Sequence, residues 1–468
     1  MKNILCIWLI ALVPYLPLMA QWYSNPPLSE LLEIGLPVVE IQTTDEEEPT
    51  YIPVNPPEGG VGYSIQAEKV TGRLRLLQNQ DTLYDSGNYI KGLSGMTIKV
   101  RGNTSAYTVI KPYKIKLQEK ADLLIRGNDD KYKDKEWLLI DGNDLRTVVG
   151  FWANELMEMA WTPALRFVNV VMNGQYRGLY LLIESVKRNS SCRIDVDKYS
   201  GSIFELDAYW WNTSYYYISE HGYYYTLKYP DEDDATDIEK EYIQHITNLM
   251  EQSILDGSYE DYIDVPAFAR WILVHDILGS YDAAGSNIFF AKYDDSEHSK
   301  ITMPLTWDFN CIMKPEHGWS RIHESDYCYF PLLFNNSNIA FTEEYIQLWN
   351  RYSEHVFDEI NTRLHNFIAS ELREQLDVSR KKMMETLNFE DWTWTDDAEY
   401  CINWFTNHKI WMDEAMQELM CNTHIRDNRA WGPSDDNLSY DLAGRRVWNT
   451  HASRQIIVIN GKKCLLHP

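Results

Sequence analysis

The apolar pattern of this chain changes its period part-way along, and that change constrains the fold more than any single motif. Between residues 63 and about 120, short apolar runs alternate with turn residues, chiefly Asp85-Ser86-Gly87-Asn88 and Arg101-Gly102-Asn103-Thr104-Ser105. Tyr113-Lys114-Ile115-Lys116-Leu117 alternates with period two, the pattern of a strand with one exposed face. A helix follows: Asn143 or Asp144 can cap it, and Leu145, Val148, Val149, Trp152, Leu156 and Met159 recur at helical spacing. Two more strands, Phe167–Met172 and Leu179–Glu184, flank the tight-turn dipeptide Asn173-Gly174. These signals predict an antiparallel, β-rich N-terminal lobe with one main helix over residues 63–207.

From residue 208 the spacing turns helical. Thr236 and Glu239 make a capping box ahead of Ile238, Tyr242, Ile246 and Leu249. Asp264 caps a second helix carrying Phe268, Trp271 and Ile272, and Gly279 ends it. Ser286–Lys292 and Lys300–Trp307 read as a short hairpin, and helices are expected over 342–365, 369–386 and 395–420. Residues 208–425 are therefore expected to form a helix-rich C-terminal lobe. The predicted class is α+β, in two lobes.

The ends of the chain read differently. Lys2, the apolar run 4–19 and Leu18-Met19-Ala20 have the pattern of a secretory signal over residues 1–20, an uncleaved anchor being the alternative. No later stretch has the ~18 apolar residues of a spanning helix. The mature chain is thus expected to be secreted, periplasmic or at the cell surface. Residues 21–62 read as a Pro- and acid-rich lead-in, with Asp45-Glu46-Glu47-Glu48-Pro49 and Pro56-Pro57-Glu58-Gly59-Gly60 as loops and only Leu36–Ile41 as a strand. Residues 426–468 read as a linker, Arg429–Asp436, followed by Tyr440–Val447 and Gln455–Lys463, with Asn460-Gly461 as a turn. This tail resembles the C-terminal sorting modules of secreted Bacteroidota proteins.

Composition narrows the partners. A formal charge of −26 repels phosphate backbones and argues against nucleic acid. Beyond residue 20 stand Cys192, Cys311, Cys328, Cys401, Cys421 and Cys464, with neither a CxxC pair nor a His cluster, so zinc is not expected. Disulfides and buried thiols both remain open. The 17 Trp and 31 Tyr fit large cores or a surface that binds sugar or peptide.

The chemistry concentrates in Ser280-Tyr281-Asp282-Ala283-Ala284-Gly285-Ser286-Asn287 and in Leu305-Thr306-Trp307-Asp308-Phe309-Asn310. Phosphoryl transfer needs a carboxylate to orient the acceptor hydroxyl, and an amide oxygen and a second carboxylate to hold metal at the phosphates. Asp282, Asn287 and Asp308 fit those roles in that order, with an Asp-x4-Asn spacing ahead of a hairpin to the next Asp. Asp308 sits between Trp307 and Phe309 at the end of an apolar run, where a carboxylate must find a cation or hydrogen bonds. Arg101 in its turn, and Lys111, Lys114 or Lys116 near or on one strand, are candidate phosphate ligands. Glu155 shares the packed face of its helix and asks for a cation, for which a strand lysine is the expected partner. Glu184 ends its strand where a hinge to the nucleotide base would begin.

Several segments, in order, resemble the CotH (spore coat protein H) kinase family. They are the Arg101-Gly102-Asn103 turn, Lys111-Pro112-Tyr113-Lys114-Ile115-Lys116, Trp137-Leu138-Leu139 and Asn173-Gly174-Gln175-Tyr176-Arg177-Gly178-Leu179-Tyr180. Phe204-Glu205-Leu206-Asp207, Leu227-Lys228-Tyr229-Pro230, the Asp282/Asn287 pair and Trp307-Asp308-Phe309 complete the set. The resemblance implies a two-lobed atypical protein kinase that uses ATP with Mg²⁺ or Mn²⁺ and modifies Ser or Thr of a partner protein. The family commonly has Asp-Phe-Asp where this chain has Asp308-Phe309-Asn310, so Asn310 keeps an oxygen ligand but loses a charge. A catalytically degenerate surface protein that binds a host, glycan or coat partner is the second reading. A glycoside hydrolase with paired carboxylates is the third.

Overall fold

A computed structural model describes residues 25–127, 129–280, 283, 285–313, 328–334, 338–388, 392–430, 455–459 and 462–466. The chain opens with helix α1 (Leu28–Glu33) and strand β1 (Val38–Thr43), then a hairpin of β2 (Tyr51–Val54) and β3 (Ser64–Ala67). Next come β4 (Val70–Gln78), β5 (Asp81–Asp85), β6 (Met96–Val100), β7 (Tyr113–Ala121), β8 (Asp134–Asp141), helix α2 (Leu145–Leu156), β9 (Leu165–Met172) and β10 (Gln175–Glu184).

β1 runs antiparallel to β4 and parallel to β9. Among the described residues the strand order β1-β9-β10-β8-β7-β6-β4 therefore returns to β1 and closes a seven-stranded barrel, with β5 attached beside β4. Closure leaves no open edge in the ring. The inward residues follow the period of two: Leu74 and Leu76, Met96, Ile98 and Val100, Ile115 and Leu117 are all buried. The β1–β4 approach is close at Gly72, where a Cβ would lie 2.5 Å from the Gln42 carbonyl oxygen, so no larger residue fits without a shift.

Two expectations are corrected here. The stretch read as a lead-in supplies β1, the strand that seals the sheet, and its pairing with β9 makes the sheet mixed rather than antiparallel. A closed barrel is also not a clear counterpart of an open kinase β-lobe. The physical cause is the short apolar run Val38, Val39 and Ile41, which buries fully only by pairing with two strands at once.

The second region holds β11 (Ser202–Leu206), β12 (Tyr216–Ile218), β13 (Tyr224–Tyr229), α3 (Asp237–Asp256), α4 (Val265–Leu278), β14 (Ile288–Lys292) and β15 (Ile301–Thr302). Its strands pair in the order β12-β13-β11-β14-β15. The aromatic-rich segment Tyr209–Tyr225 feeds this sheet: Trp210 stacks on Tyr224 at 4.3 Å and Tyr217 on Tyr225 at 5.4 Å, so these rings pack on one another. The capping box of Thr236 and Glu239 is formed, and Asp264 caps α4, which ends at left-handed Gly279. α4 is buried almost all round, through Phe268, Trp271, Ile272, Leu273, Val274, Ile277 and Leu278.

The remaining elements are α5 (Phe330–Leu333), α6 (Ala340–Ile368), α7 (Glu371–Leu387) and α8 (Trp394–Ala430), then the hairpin β16 (Gln455–Ile459) and β17 (Lys462–Leu466). Tyr345 on α6 donates to the Asp276 carboxylate of α4 at 2.6 Å, and His408 on α8 meets the Asp276 carbonyl at 2.7 Å. α7 lies against β10, with Asn169 of neighbouring β9 donating to Ser379 at 3.1 Å. Among the described residues no helix is long and apolar enough to cross a membrane. Cys192, Cys328 and Cys401 are thiols, and Cys421 is disulfide-bonded. The expected strand Tyr440–Val447 and the turn Asn460-Gly461 lie outside the described residues.

Candidate active site

Helix α2 fixes the segment that carries Asp308. The Asn154 amide donates to the Thr306 carbonyl at 3.1 Å, the Thr306 hydroxyl donates back to the Asn154 side-chain oxygen, and both residues are fully buried. The Phe309 ring lies on Gly150, where a Cβ would be 2.3 Å from the ring, and meets Phe151 edge-on at 4.9 Å. Trp307 packs 5.7 Å from the same Phe151. With Trp307 and Phe309 both sunk, Asp308 projects the other way and is exposed. Its backbone is left-handed, φ +64, a conformation that Asp tolerates better than most residues but that still costs about 1 kcal/mol or more. The Asn310 amide donates to Asp308 Oδ1 at 3.3 Å and fixes the carboxylate.

Asn287, just before β14, is the second left-handed residue, φ +60. Its side-chain amide donates to Asp308 Oδ2 at 3.5 Å. From the barrel side comes Arg101, directly after β6, with its backbone amide bonded to the Pro112 carbonyl at 2.9 Å. The following Asn103 accepts from the Ser64 hydroxyl at 2.6 Å, so the β2–β3 hairpin pins this turn. Burial lowers the Arg101 pKa, while Asp308 and Glu205 pull it back up. Among the described residues no carboxylate closes an ion pair with this guanidinium.

A buried ionic array lies on β13, on β11 and just past the end of β11. Lys228 pairs with Glu205 at 2.8 Å and stands 3.9 Å from Asp207. Asp207 also accepts from the Thr226 hydroxyl at 3.2 Å and the Tyr209 amide at 2.8 Å. Glu205 is pushed up to about 7, first by burial and then by Asp207, against the pull of Lys228 and Arg101. Burial works against the Lys228 charge, but Glu205 and Asp207 outweigh it and its pKa is raised.

The structure thus brings Asn287, Asp308 and Asn310 together, with Arg101 near enough for the Asp308 charge to act on it. Asp282 lies outside the described residues. The strand lysines are placed differently from expectation: Lys114 and Lys116 pair with Glu136 on β8 at 3.0 and 3.6 Å. Lys111 donates to the Thr108 carbonyl at 3.2 Å and lies 5.7 Å over the Tyr51 ring. The expected pairing of Glu155 with a strand lysine is corrected: Glu155 forms a two-point ion pair with Arg363 of α6, at 2.9 and 3.2 Å. It lies at the α6 side of α2 and is 58% exposed there, because that helix turns Gly150 and Asn154, not Glu155, toward the Asp308 segment. Glu184 is a buried brace, accepting from Arg126 at 2.9 Å and from the Ala164 amide at 3.0 Å.

Sequence reasoning did not single out Glu205, Asp207 and Lys228 as part of the site. A signal was there: Glu205 in the otherwise apolar Ile203–Leu206 run with Asp207 two positions on, and a lysine inside Tyr225-Thr226-Leu227-Lys228-Tyr229. Lys99 is a further omission, a half-buried strand cation whose pKa is lowered by burial and then by Lys114 and Lys69.

Among the described residues no group of three His, Cys, Asp or Glu side chains could hold a metal ion. Asn287, Asp308 and Asn310 supply amide and carboxylate oxygens, the donor type of a hard divalent cation that takes phosphate and water oxygens for its other positions. The Asn287 amide presents oxygen in place of nitrogen by a flip, so the residues fit such an ion. A comparison with curated proteins returned no match. The family described as CotH kinase protein matches residues 98–416, more than half of the chain, from β6 through most of α8. That span takes in Arg101, Glu205, Lys228, Asn287 and Asp308, and the chain belongs to the CotH kinase family.

Proposed function

We propose that this protein is an exported protein kinase that transfers the γ-phosphoryl group of ATP, with Mg²⁺ or Mn²⁺, to a Ser or Thr hydroxyl of a partner protein. The observation that carries the reading is the contact of Asn287 with Asp308, with Arg101, from far earlier in the chain, near enough for the Asp308 charge to act on it. In this reading the barrel and the helical region act as the two lobes of an atypical kinase, with the cleft between them. A divalent ion bound here would supply positive charge to neutralise the nucleotide phosphates. Asn287 and Asp308 would hold it, with Asn310 as a neutral oxygen ligand, and Arg101 would offer its guanidinium to the phosphate oxygens. Asp282, five positions before Asn287, would orient the acceptor hydroxyl and take its proton as the oxygen–phosphorus bond forms and the β–γ bridge breaks. Catalysis of this kind is positioning plus electrostatics, so few side chains suffice.

The signal pattern over residues 1–20 and the sorting-like tail support export and placement at the surface. Asn310, where the family commonly has an acid, favours a second reading, a kinase-like surface protein without transfer activity. Phosphate incorporation by the parent, Asp282→Ala and Asp308→Ala decides between them. The kinase reading expects labelling by the parent and none by either variant, with the fold intact by circular dichroism. Equal labelling in all three proteins removes the assignment. No thermal shift with millimolar ATP and either metal leaves the binder.

A further inference from the structure

Strand β6 turns Met96, Ile98 and Val100 into the barrel, so by the period of two Lys99 faces outward. The β6–β7 register sets Lys99 directly opposite Lys114. Cβ atoms of such a pair lie about 4.5–5.5 Å apart, and like charges facing one another there destabilise a sheet. Lys114 is compensated, because Glu136 of β8 pairs with it at 3.0 Å and with Lys116 at 3.6 Å. Lys99 is not. Among the described residues no acid pairs with its ammonium, although the residue is half-buried. On its other side Lys69 precedes Val70, the partner of Ile98 across β4 and β6. Burial lowers the Lys99 pKa, Lys114 and Lys69 lower it further, Glu136 opposes them and Arg101 adds to the lowering. Arg101 comes two residues later, and its amide continues the ladder on the Pro112 carbonyl at 2.9 Å. The same period carries Lys99 and Arg101 to one face. The sheet gains nothing from a lysine at this place, where a β-branched residue would hold the strand better. A residue that breaks a local rule with no gain inside the fold points to a ligand.

We infer that Lys99 is a phosphate ligand: its ammonium, set opposite Lys114 without an acid of its own, takes a phosphoryl oxygen on the barrel face that it shares with Arg101. The inference rests on the kinase reading above for the identity of the anion, the phosphates of ATP. It gives Lys99 the part for which Lys114 and Lys116, held by Glu136, and Lys111, bonded to the Thr108 carbonyl, are not free. An oxyanion supplies the negative charge that the row of Lys69, Lys99 and Lys114 lacks. The repulsion borne by the empty chain is relieved on binding and strengthens it.

The test compares the full chain with Lys99→Met in two measurements that should move in opposite directions. Without ligand, Lys99→Met is expected to melt about 1–3 °C above the parent, because the like-charge pair is gone. Titration calorimetry should show it binding ATP with Mg²⁺ about 10- to 100-fold more weakly, the value of one charge-assisted hydrogen bond. Inorganic tripolyphosphate, which lacks the base and sugar, should lose affinity by a similar factor and be displaced from the parent by ATP. A lysine that only braces the strand would give the reverse melting result. A Lys99→Met chain that melts below the parent or does not fold therefore overturns the inference. So does one that melts higher but binds both phosphate compounds within about threefold of the parent. A parent that binds ATP but transfers nothing defeats the kinase reading, and the Kd pair still decides on Lys99. A parent that binds tripolyphosphate through Lys99 but not ATP likewise defeats the kinase reading alone. A parent that binds neither defeats both.

Discussion

The cations at β6 and β7 fall into two groups that behave in opposite ways. Lys114 and Lys116 share Glu136, and their side chains are 38% and 59% exposed. Arg101, only two residues beyond Lys99, is half-buried and has no such partner among the described residues, and the charges of Asp308 and Glu205 act on it against burial. An exposed ion pair of the first kind contributes about 0–1 kcal/mol and has already used its donors. A half-buried cation faced by acids that do not bond it retains its donors in a place where water cannot fully solvate it. The second arrangement suits an incoming anion and the first does not. The number of lysines on a strand is thus a poorer guide to a phosphate site than the state of their partners.

The widest separation between the two groups is expected in activity. Arg101→Ala should lower phosphate incorporation by about 10²- to 10³-fold, as removal of one preorganised charge-stabilising donor does. Lys114→Ala and Lys116→Ala should each change it by less than about threefold. If a lysine substitution costs as much as the arginine one, the comparison breaks.

Buried and exposed acids offer a second contrast. Glu205 titrates at about 7 in the folded chain against an ordinary value of 4.5, with Lys228, Asp207 and Arg101 facing it. Its raised folded value means that the protonated form is the stabilised one. That stability is fully present below about pH 4.5 and is lost as pH rises through about 7, a change of about 3 kcal/mol at most. Urea unfolding at pH 5 and pH 8 should show the Glu205→Gln variant losing less stability over that range than the parent. An identical pH dependence would place the strain elsewhere.

Gly150→Ala sharpens the picture of how Asp308 is held. The new methyl would lie 2.3 Å from the Phe309 ring, so the ring must move. Overpacking of this kind costs about 1–3 kcal/mol. Thermal melting should fall, and phosphate incorporation should fall with it because Asp308 is the next residue. The smallest effect is expected at Glu155, whose pair with Arg363 is exposed like that of the strand lysines. Glu155→Ala should change stability by about 0–1 kcal/mol and leave labelling unaltered. A large loss of labelling would restore Glu155 to the site.

Much of the secondary structure was legible from the residues alone, because its determinants lie within a few positions of one another. Asp144, Thr236 with Glu239, Asp264 and Gly279 all mark helix ends where the sequence places them. Asn173-Gly174 joins β9 to β10 as read, and Tyr113–Leu117 begins β7. The family resemblance was also readable from motifs, and two of the candidates singled out from them, Asn287 and Asp308, meet in the fold.

What tertiary structure alone decided is partnership. The run Val38–Ile41 carries no mark saying that it pairs with both β4 and β9, yet that double pairing closes the barrel. Nothing local says that Glu155 meets Arg363, that Glu136 takes Lys114 and Lys116, or that Lys228 takes Glu205. Caps and periodicity act through bonds between near neighbours in the chain, so a single sequence encodes them directly. An ion pair between buried strands depends on register and on the path of everything between, and only the folded chain sets that distance.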